Sequence, residues 1–344
     1  MTRWAVILAG GVGSRFWPLS TPERPKQLLP LVNEKSLLLN TVDRLRQLVP
    51  PANILILTNA SLAQTIATAL PDIPPENIVA EPKPAGTAAA LTWAALEIEK
   101  RTGPDSPMVC VHADWAIADD NAFRTALDAA MRVAAEESAL VTVGVVPTRP
   151  DPGFGYIQPG EKTSSGARKV TRFVEKPERT RAVSMLNEGY LWNSGIFAWR
   201  VGDFLDEVRA LTPEVAKALP RAENGLDEFF NAVIPVSVDV GVLERSKRVR
   251  VLSGDFGWDD VGTWAALRRV KPEDNSGNVT SGEVFALDAR GNVVHAEGSA
   301  VVLYGVSDLV VVSKDGLTLV TTADRSADLK TLVDALPSSL RDQK

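Results

Sequence analysis

Cysteine and histidine are nearly missing from this chain of 344 residues, which has one cysteine, Cys110, and two histidines, His112 and His295. A single thiol excludes an intrachain disulfide, and a Cys/His zinc cage lacks ligands. A histidine-activated nucleophile has at most two candidate bases. Positive charge is not in excess either: 37 basic against 43 acidic residues give a net charge of −6, which argues against broad non-specific nucleic-acid binding. No hydrophobic run is long enough to span a bilayer. The first, Trp4–Ala9, is followed by glycines and Arg15 rather than a cleavage site. The runs at Leu140–Val146 and Leu309–Val312 are short and β-branched and read as buried strands, so a cytoplasmic protein is the default expectation. With 45% hydrophobic and 23% charged residues, the chain is an ordinary globular one of a length that suggests two domains. An enzyme so poor in thiol and imidazole must work with carboxylates, ammonium groups and a borrowed metal.

Strand-like and helix-like segments alternate through the first part of the chain. Trp4–Ala9, Asn53–Thr58, Asn77–Ala80, Met108–Val111 and Leu140–Val145 read as strands. Ser36–Leu48, Ser61–Leu70, Thr87–Lys100 and Ala122–Glu137 carry helical spacing. Such alternation implies βαβ units and a mainly parallel sheet covered on both faces, with ligands at the carboxyl ends of strands. Phe154–Gln158, Lys169–Val174 and Leu191–Trp199 then extend the same sheet, with helices at Arg179–Glu188 and Gly202–Ala210. The polar stretch Lys271–Asn278 reads as a linker, which sets domain limits of 1–270 and 271–344. Beyond it come short strands at irregular spacing, with no tandem repeat, and a closing helix at Asp324–Leu336. This tail carries 7 basic and 11 acidic residues, which leaves the larger part nearly neutral.

Gly10, Gly11, Gly13 and Ser14 follow the first strand, then Arg15, Phe16, Trp17 and Pro18. A glycine turn at a strand end lets backbone N–H groups approach a phosphate or a base edge. It is neither a dinucleotide fingerprint, since Phe16 stands where a third glycine would, nor a Walker A loop. Pro22, Pro25 and Pro30 stiffen the segment around Lys26 and Gln27. Two cations, Arg15 and Lys26, beside such a turn suit a nucleoside triphosphate. Asp114 follows the strand ending at Val111, and Asp260 lies in the tight stretch Trp258-Asp259-Asp260-Val261-Gly262. Carboxylates so placed can hold Mg²⁺, although an aspartate after a strand is more often a cap or turn residue. Neighbouring residues on a strand point opposite ways, so Asp260 rather than Asp259 is expected to reach the metal.

The order GGxGxRxxPLS, then PKQLLPL, resembles the sugar-1-phosphate nucleotidylyltransferases, and the Phe16-Trp17 and Pro25-Lys26-Gln27 variants are similar to the mannose-1-phosphate guanylyltransferase branch. Further pieces of that family follow in order: Glu81-Pro82, Gly86-Thr87-Ala88, Ala113-Asp114, Gly153-Phe154-Gly155-Tyr156, Phe173-Val174-Glu175-Lys176-Pro177, Trp192-Asn193-Ser194-Gly195, Asp239 to Glu244 and Trp258 to Trp264. They span nearly all of residues 5–265. The resemblance implies a Rossmann-like, GT-A-like α/β nucleotidyltransferase with a mixed, mainly parallel sheet and a small C-terminal β-rich, β-helix-like domain. It implies transfer of GMP from GTP to mannose 1-phosphate with Mg²⁺ on Asp114 and Asp260 and with Arg15 and Lys26 on the triphosphate. Leu8, Ala9, Gly10, Gly11, Gly13, Ser14, Gly86 and Thr87 would bind the nucleotide. Gly144, Tyr156, Glu175, Lys176 and Asn193 would bind the sugar phosphate.

Two departures stand out. The family usually has proline at His112 and histidine at Trp115, so His112 reads as structural and no role falls to Trp115. Gly86 replaces the usual asparagine of a segment that helps read the base in relatives, which leaves guanine selectivity open. Two other readings remain: a pyrophosphorylase for another pair, such as glucose 1-phosphate with dTTP or UTP, and a non-catalytic nucleotide-sugar-binding homologue. The stretch beyond residue 271 is too short for an added sugar-phosphate isomerase domain, so that activity is not expected. Partners are expected to be small molecules, without nucleic acid or membrane, and the β-rich tail raises homodimerisation as an expectation.

Overall fold

The computed structural model describes residues 1–11 and 13–341. It divides into two compact units: Met1–Gly10, Val42–Ala113 and Asp119–Trp258 make the first, and Gly11–Thr41, Asp114–Ala118 and Asp259–Lys344 the second. This division follows packing, whereas the cut expected at 270/271 follows chain order, and the two do not coincide.

The first unit is built on nine strands: β1 (Trp4–Leu8), β2 (Ile54–Asn59), β3 (Ile78–Glu81), β4 (Pro107–His112), β5 (Leu140–Val145), β6 (Tyr156–Lys162), β7 (Arg168–Val174), β8 (Leu191–Arg200) and β9 (Val249–Gly254). Their order is β3-β2-β1-β4-β8-β5-β9-β7-β6. The β3-β2-β1-β4 part is parallel, and β8 runs antiparallel between β4 and β5. Every residue of β1 is buried, as a strand covered on both faces requires. The segments expected to extend the sheet do so.

Helices α1 (Leu37–Leu45), α2 (Ala63–Ala69), α3 (Thr87–Thr102), α4 (Asp120–Glu137), α5 (Arg179–Asn187) and α6 (Val201–Leu211) fall on the expected helical segments. In α3 the small side chains of Ala88, Ala89, Ala94 and Ala95 are fully buried, so its backbone lies close to the sheet core it shares with Val6, Leu55 and Cys110. Asp119 caps α4 by accepting from the N–H groups of Asn121 and Ala122, each at 2.9 Å.

The second unit carries β10 (Val279–Ser281), β11 (Val284–Leu287), β12 (Val293–Ala296), β13 (Val301–Tyr304), β14 (Leu309–Lys314) and β15 (Leu317–Thr322). β10, β12 and β14 stack in parallel, as do β11 and β13, while β15 runs antiparallel along β14. The β-helix-like expectation holds, and irregular spacing hides a structural recurrence. Gly277-Asn278-Val279, Gly291-Asn292-Val293 and Ser307-Asp308-Leu309 open successive coils, with Val279 paired to Val293 and Val293 to Val310. Asn292 is fully buried; its Nδ2 donates to Asn278 Oδ1 at 2.9 Å and its Oδ1 accepts from Leu309 N–H at 2.9 Å. The expected linker at 271–278 is therefore ordered at its end, where Asp274 accepts from Ser276 N–H and Asn278 N–H. The expected closing helix at 324–336 is a 3-10 turn, Asp324–Asp328, and a short helix, Leu329–Ala335, which stops where Pro337 disfavours helical conformation at Leu336; a further short helix, Ser338–Arg341, follows. Phe16, Trp17, Leu29, Val261, Trp264, Val279 and Val293 share one core within this unit.

Candidate active site

In the first unit, the end of β1 is buried floor. Ala9 N–H donates to Leu57 O at 2.8 Å, Thr58 Oγ1 donates to Ala9 O at 3.2 Å, and Ala113 N–H donates to Leu8 O at 3.0 Å. Gly10 is exposed, and the nearest atom to a Cβ at that position is Glu81 Oε1, 3.9 Å away. Burial pushes the Glu81 carboxyl up to about 7. Glu81 ends β3, at the carboxyl edge where α/β sheets bind ligands. Glu81 belongs to the Glu81-Pro82 motif, and its position at a strand end is the sequence signal that marks it.

Gly86 precedes α3 with φ +80°, and a Cβ there would stand 2.3 Å from Val236 O. This position is thus closed to any side chain by the backbone at Val236. Thr87 Oγ1 accepts from Val238 N–H at 2.9 Å, so this hydroxyl anchors the same 236–238 segment.

The expected sugar side gathers on β5, β7 and β8. Register slips between β5 and β8 after Val143, so that Gly144 pairs with Asn193. Gly195, at φ +77°, and Ser194, whose Oγ donates to Val143 O at 2.6 Å, make the bulge that turns Asn193. A Cβ at Gly144 would meet Leu191 at 2.8 Å, so this glycine is required by packing. A Cβ at Gly155 would stand 2.6 Å from Glu175 Oε2 and 3.4 Å from Asn193 Cβ, which puts the carboxylate and the amide residue around one point. Lys176 Nζ pairs with Glu175 Oε1 at 2.8 Å and is largely exposed. Asn193 Nδ2 donates to Asp239 Oδ1 at 2.8 Å. Burial, then the Glu175 charge, push the Asp239 carboxyl up to about 6. Tyr156 differs from expectation. It is fully buried, and its hydroxyl accepts from Asp151 N–H at 3.0 Å and donates to Asp151 O at 3.2 Å. It braces the 151–155 turn and offers no group to a ligand.

In the second unit, Gly11 O accepts from Gln27 Nε2 at 2.9 Å, which ties the glycine turn to the proline-stiffened loop. Gly13 has φ +63°, and a Cβ there would fall 2.3 Å from Lys26 Cβ; only glycine lets the two segments pass. Ser14–Phe16 forms a 3-10 turn that leaves Arg15 exposed while Phe16 packs on Trp264 with ring centroids 5.2 Å apart. Lys26 is buried; its Nζ donates to Asp114 Oδ2 at 2.9 Å and to Asp260 O at 2.6 Å. A Cβ at Gly262 would lie 2.5 Å from Asp260 Oδ2 and 3.6 Å from Arg15 Nη1, so Arg15 stands on the same cluster. Arg15, Lys26, Asp114 and Asp260 are therefore assembled within one unit. Asp259 points elsewhere: its two oxygens take Arg269 Nε at 2.5 Å and Nη2 at 2.9 Å, and Oδ1 also accepts from Val261 N–H at 2.8 Å.

Among the described residues no three His, Cys, Asp or Glu side chains group as a metal cage. Two aspartates beside a lysine and an arginine are hard oxygen donors in too small a number for zinc or a closed calcium site. They fit an ion that keeps most of its coordination for water and phosphate oxygens. Cys110 is fully buried, and burial drives its thiol far above the ordinary range. His112 ends β4, half-buried, and burial holds His295 below its ordinary value.

The nucleotidyl transferase family model matches residues 4–277, and a mannose-phosphate isomerase/GMP-like β-helix domain model matches residues 282–336. The chain belongs to the nucleotidyl transferase family. Members of this family act on nucleoside triphosphates and sugar phosphates and use a divalent metal. The chain is 38% identical over 352 aligned positions to xanthan biosynthesis protein XanB of Xanthomonas campestris pv. campestris strain B100, an alignment covering 98% of this chain and 74% of that one. It is 36% identical to a mannose-1-phosphate guanylyltransferase of Escherichia coli over the same shares. A solved structure from Thermus thermophilus, described as a mannose-1-phosphate geranyltransferase, superposes with a TM-score of 0.90 at 36% identity, covering 97% of this nucleotidyl transferase and 99% of that chain. No helix among the described residues is long and apolar enough to cross a membrane.

Proposed function

We propose that this nucleotidyl transferase moves GMP from GTP to mannose 1-phosphate, giving GDP-mannose and pyrophosphate. The observation that carries this reading is the cluster of Lys26, Arg15, Asp114 and Asp260, supported by the relatives named mannose-1-phosphate guanylyltransferase. A sugar-phosphate oxygen attacks the α-phosphorus of GTP in line, the bond from that phosphorus to the bridging oxygen breaks, and pyrophosphate leaves. The attacking phosphate needs no general base, because its second pKa of about 6 leaves it mostly dianionic at pH 7. Catalysis then reduces to positioning and charge neutralisation.

Lys26 and Arg15 bind the triphosphate and offset the charge that builds on the leaving pyrophosphate. Asp114 and Asp260 would hold Mg²⁺, which when bound supplies Lewis-acid neutralisation of phosphate oxygens. Leu8, Ala9, Gly10, Gly11, Gly13 and Ser14 bind the nucleotide, and Gly86 and Thr87 hold the segment proposed to read the base through 236–238. Glu81 reads the base in its ionised form, which prevails above its raised value of about 7: a carboxylate accepts in pairs, and guanine offers two adjacent donors, N1–H and the 2-amino group, that uracil and adenine do not. Glu175 and Asn193 take sugar hydroxyls, Lys176 the sugar's phosphate, and Gly144 keeps that strand pair close. Residues 1–270 form the catalytic domain and 271–344 the β-rich one. The protein is cytoplasmic and a homodimer, with small-molecule partners and no nucleic acid or membrane.

The test is pyrophosphate release from five nucleoside triphosphates paired with mannose 1-phosphate or glucose 1-phosphate. GTP with mannose 1-phosphate is expected to exceed every other pair at least tenfold in kcat/KM. A preference for glucose 1-phosphate with dTTP or UTP, or no turnover at all, overturns the reading.

A further inference from the structure

The Asn193 amide is held from three sides. Nδ2 donates to Asp239 Oδ1 at 2.8 Å, while Oδ1 accepts from Thr142 Oγ1 at 3.2 Å and from Gly195 N–H at 3.3 Å. Turned over, the amide would set its NH₂ against Gly195 N–H and its oxygen against a carboxylate, so one orientation alone satisfies the network. In that orientation one Nδ2 hydrogen is left for a ligand. Glu175, whose Oε2 shares the point above Gly155 with Asn193, contributes an acceptor. A sugar hydroxyl both accepts and donates, and so can satisfy the two together.

Resting on the sugar-phosphate reading above, we propose that Asp239 is a positioning residue: it fixes Asn193 as a donor and makes this subsite select a hydroxyl of the sugar phosphate. The backbone carries a second sign. Asp239 opens a five-residue π-helical turn, Asp239–Leu243, an arrangement that concentrates at functional sites. Thr212 Oγ1 holds that turn by donating to Gly241 O at 2.7 Å. A buried carboxylate costs stability that an apolar side chain would not. The cost here is raised further by the Glu175 charge, and Asp239 in turn drives up the Cys110 thiol. An acid kept in so unfavourable a place points to a use beyond packing.

The test is steady-state kinetics of the full chain, with mannose 1-phosphate and its monodeoxy analogues varied at saturating GTP. Asp239→Ala and the volume-filling Asp239→Leu remove the acceptor. Each is expected to raise KM for mannose 1-phosphate tenfold or more, with KM for GTP within twofold. Each is also expected to erase the penalty that wild type shows for one deoxy analogue. Asp239→Asn, which keeps an acceptor, restores KM to within threefold. Adding Asp239→Ala to Asn193→Ala produces no further loss, as two groups acting as one require. An unchanged KM in Asp239→Leu, equal rises for both substrates, or additive losses in the double variant overturn the positioning role while the proposed function stands. A wild-type protein that neither turns over nor binds mannose 1-phosphate, read by tryptophan fluorescence, overturns both.

Discussion

Lys26 Nζ lies 2.9 Å from Asp114 Oδ2 and 2.6 Å from the main-chain oxygen of Asp260, so one buried ammonium touches both residues proposed to hold the metal. Its side chain is only 7% exposed, and a charge so enclosed is stable because both contacts are oxygens. Lys26→Ala is expected to lower kcat roughly a hundredfold or more, the scale for losing a preorganised donor. Lys26→Arg should not rescue it, because the buried point between Asp114 Oδ2 and Asp260 O fits one ammonium and not a planar fork. Stopped assays of pyrophosphate release, with circular dichroism to verify folding, decide this. Turnover near wild type in the alanine variant would remove Lys26 from the mechanism.

The adjacent aspartates should separate cleanly. Asp260→Asn is expected to abolish most turnover and to raise the Mg²⁺ concentration needed for half-maximal rate. Asp259→Asn breaks the Arg269 pair inside the second unit and should lower Tm by several degrees while leaving the Mg²⁺ requirement in place. EDTA should stop the wild-type enzyme and added Mg²⁺ restart it. An identical Mg²⁺ titration for Asp260→Asn and wild type would rule out the metal role.

At Gly86 the positive φ and the close Val236 carbonyl act together. Gly86→Ala should cost about 1–3 kcal/mol in stability, and Gly86→Asn, with its larger side chain, should cost at least as much. Thermal melts measure both, and an asparagine variant as stable as wild type would mean that the 236–238 segment yields easily.

Glu81 makes stability depend on pH. Its folded carboxyl sits near 7 against an ordinary value of 4.5, so the folded state holds its proton more tightly than the unfolded chain. Stability from this group is therefore greatest below pH 4.5, falls as pH rises toward 7, and is constant above. The Tm difference between Glu81→Gln and wild type should grow over that interval in favour of the glutamine variant. Asp239, which titrates nearby, cancels in the comparison. A difference that stays flat from pH 4.5 to 8 would contradict the burial of this acid.

Asn292 is expected to be among the most costly polar residues to remove. Asn292→Ala leaves Leu309 N–H without its acceptor inside the coil, a loss of about 1–3 kcal/mol, and takes one of two donors from Asn278 Oδ1, which keeps the Asn292 main-chain N–H. Differential scanning calorimetry reads it directly; a Tm within one degree of wild type would show that water replaces the side chain.

What the sequence made legible was whatever local chemistry governs. Apolar strands ending in glycine located β1, and alternating periods located the parallel half of the sheet. The acids after β4 and in the Trp258–Gly262 stretch singled out Asp114 and Asp260, which gather at Lys26, while Asp259 turns to Arg269; the stretch is an isolated bridge and not a strand, so alternation is not the cause. Other features depend on long-range packing. Tyr156 reads as a ligand residue until its hydroxyl is seen to brace Asp151. Asn193 reads as a sugar-phosphate ligand, but nothing local shows that Asp239, 46 residues away, holds its amide. The coils of β10, β12 and β14 escape a search for fixed spacing because the recurring element is a buried asparagine or an aspartate turn, and the loops between coils differ in length.

The second unit draws its core from both ends of the described chain, with Phe16, Trp17 and Leu29 packed among Trp264, Val279 and Val310. During synthesis the N-terminal aromatics leave the ribosome first, and their partners follow more than 230 residues later. At roughly 5–20 residues per second, that delay is on the order of tens of seconds. For that time Phe16 and Trp17 have only the early part of their core to meet, Leu19, Leu29, Leu31, Leu37 and then Ala116. The loop that carries Arg15 and Lys26 therefore completes its packing only after all nine strands of the sheet have been made.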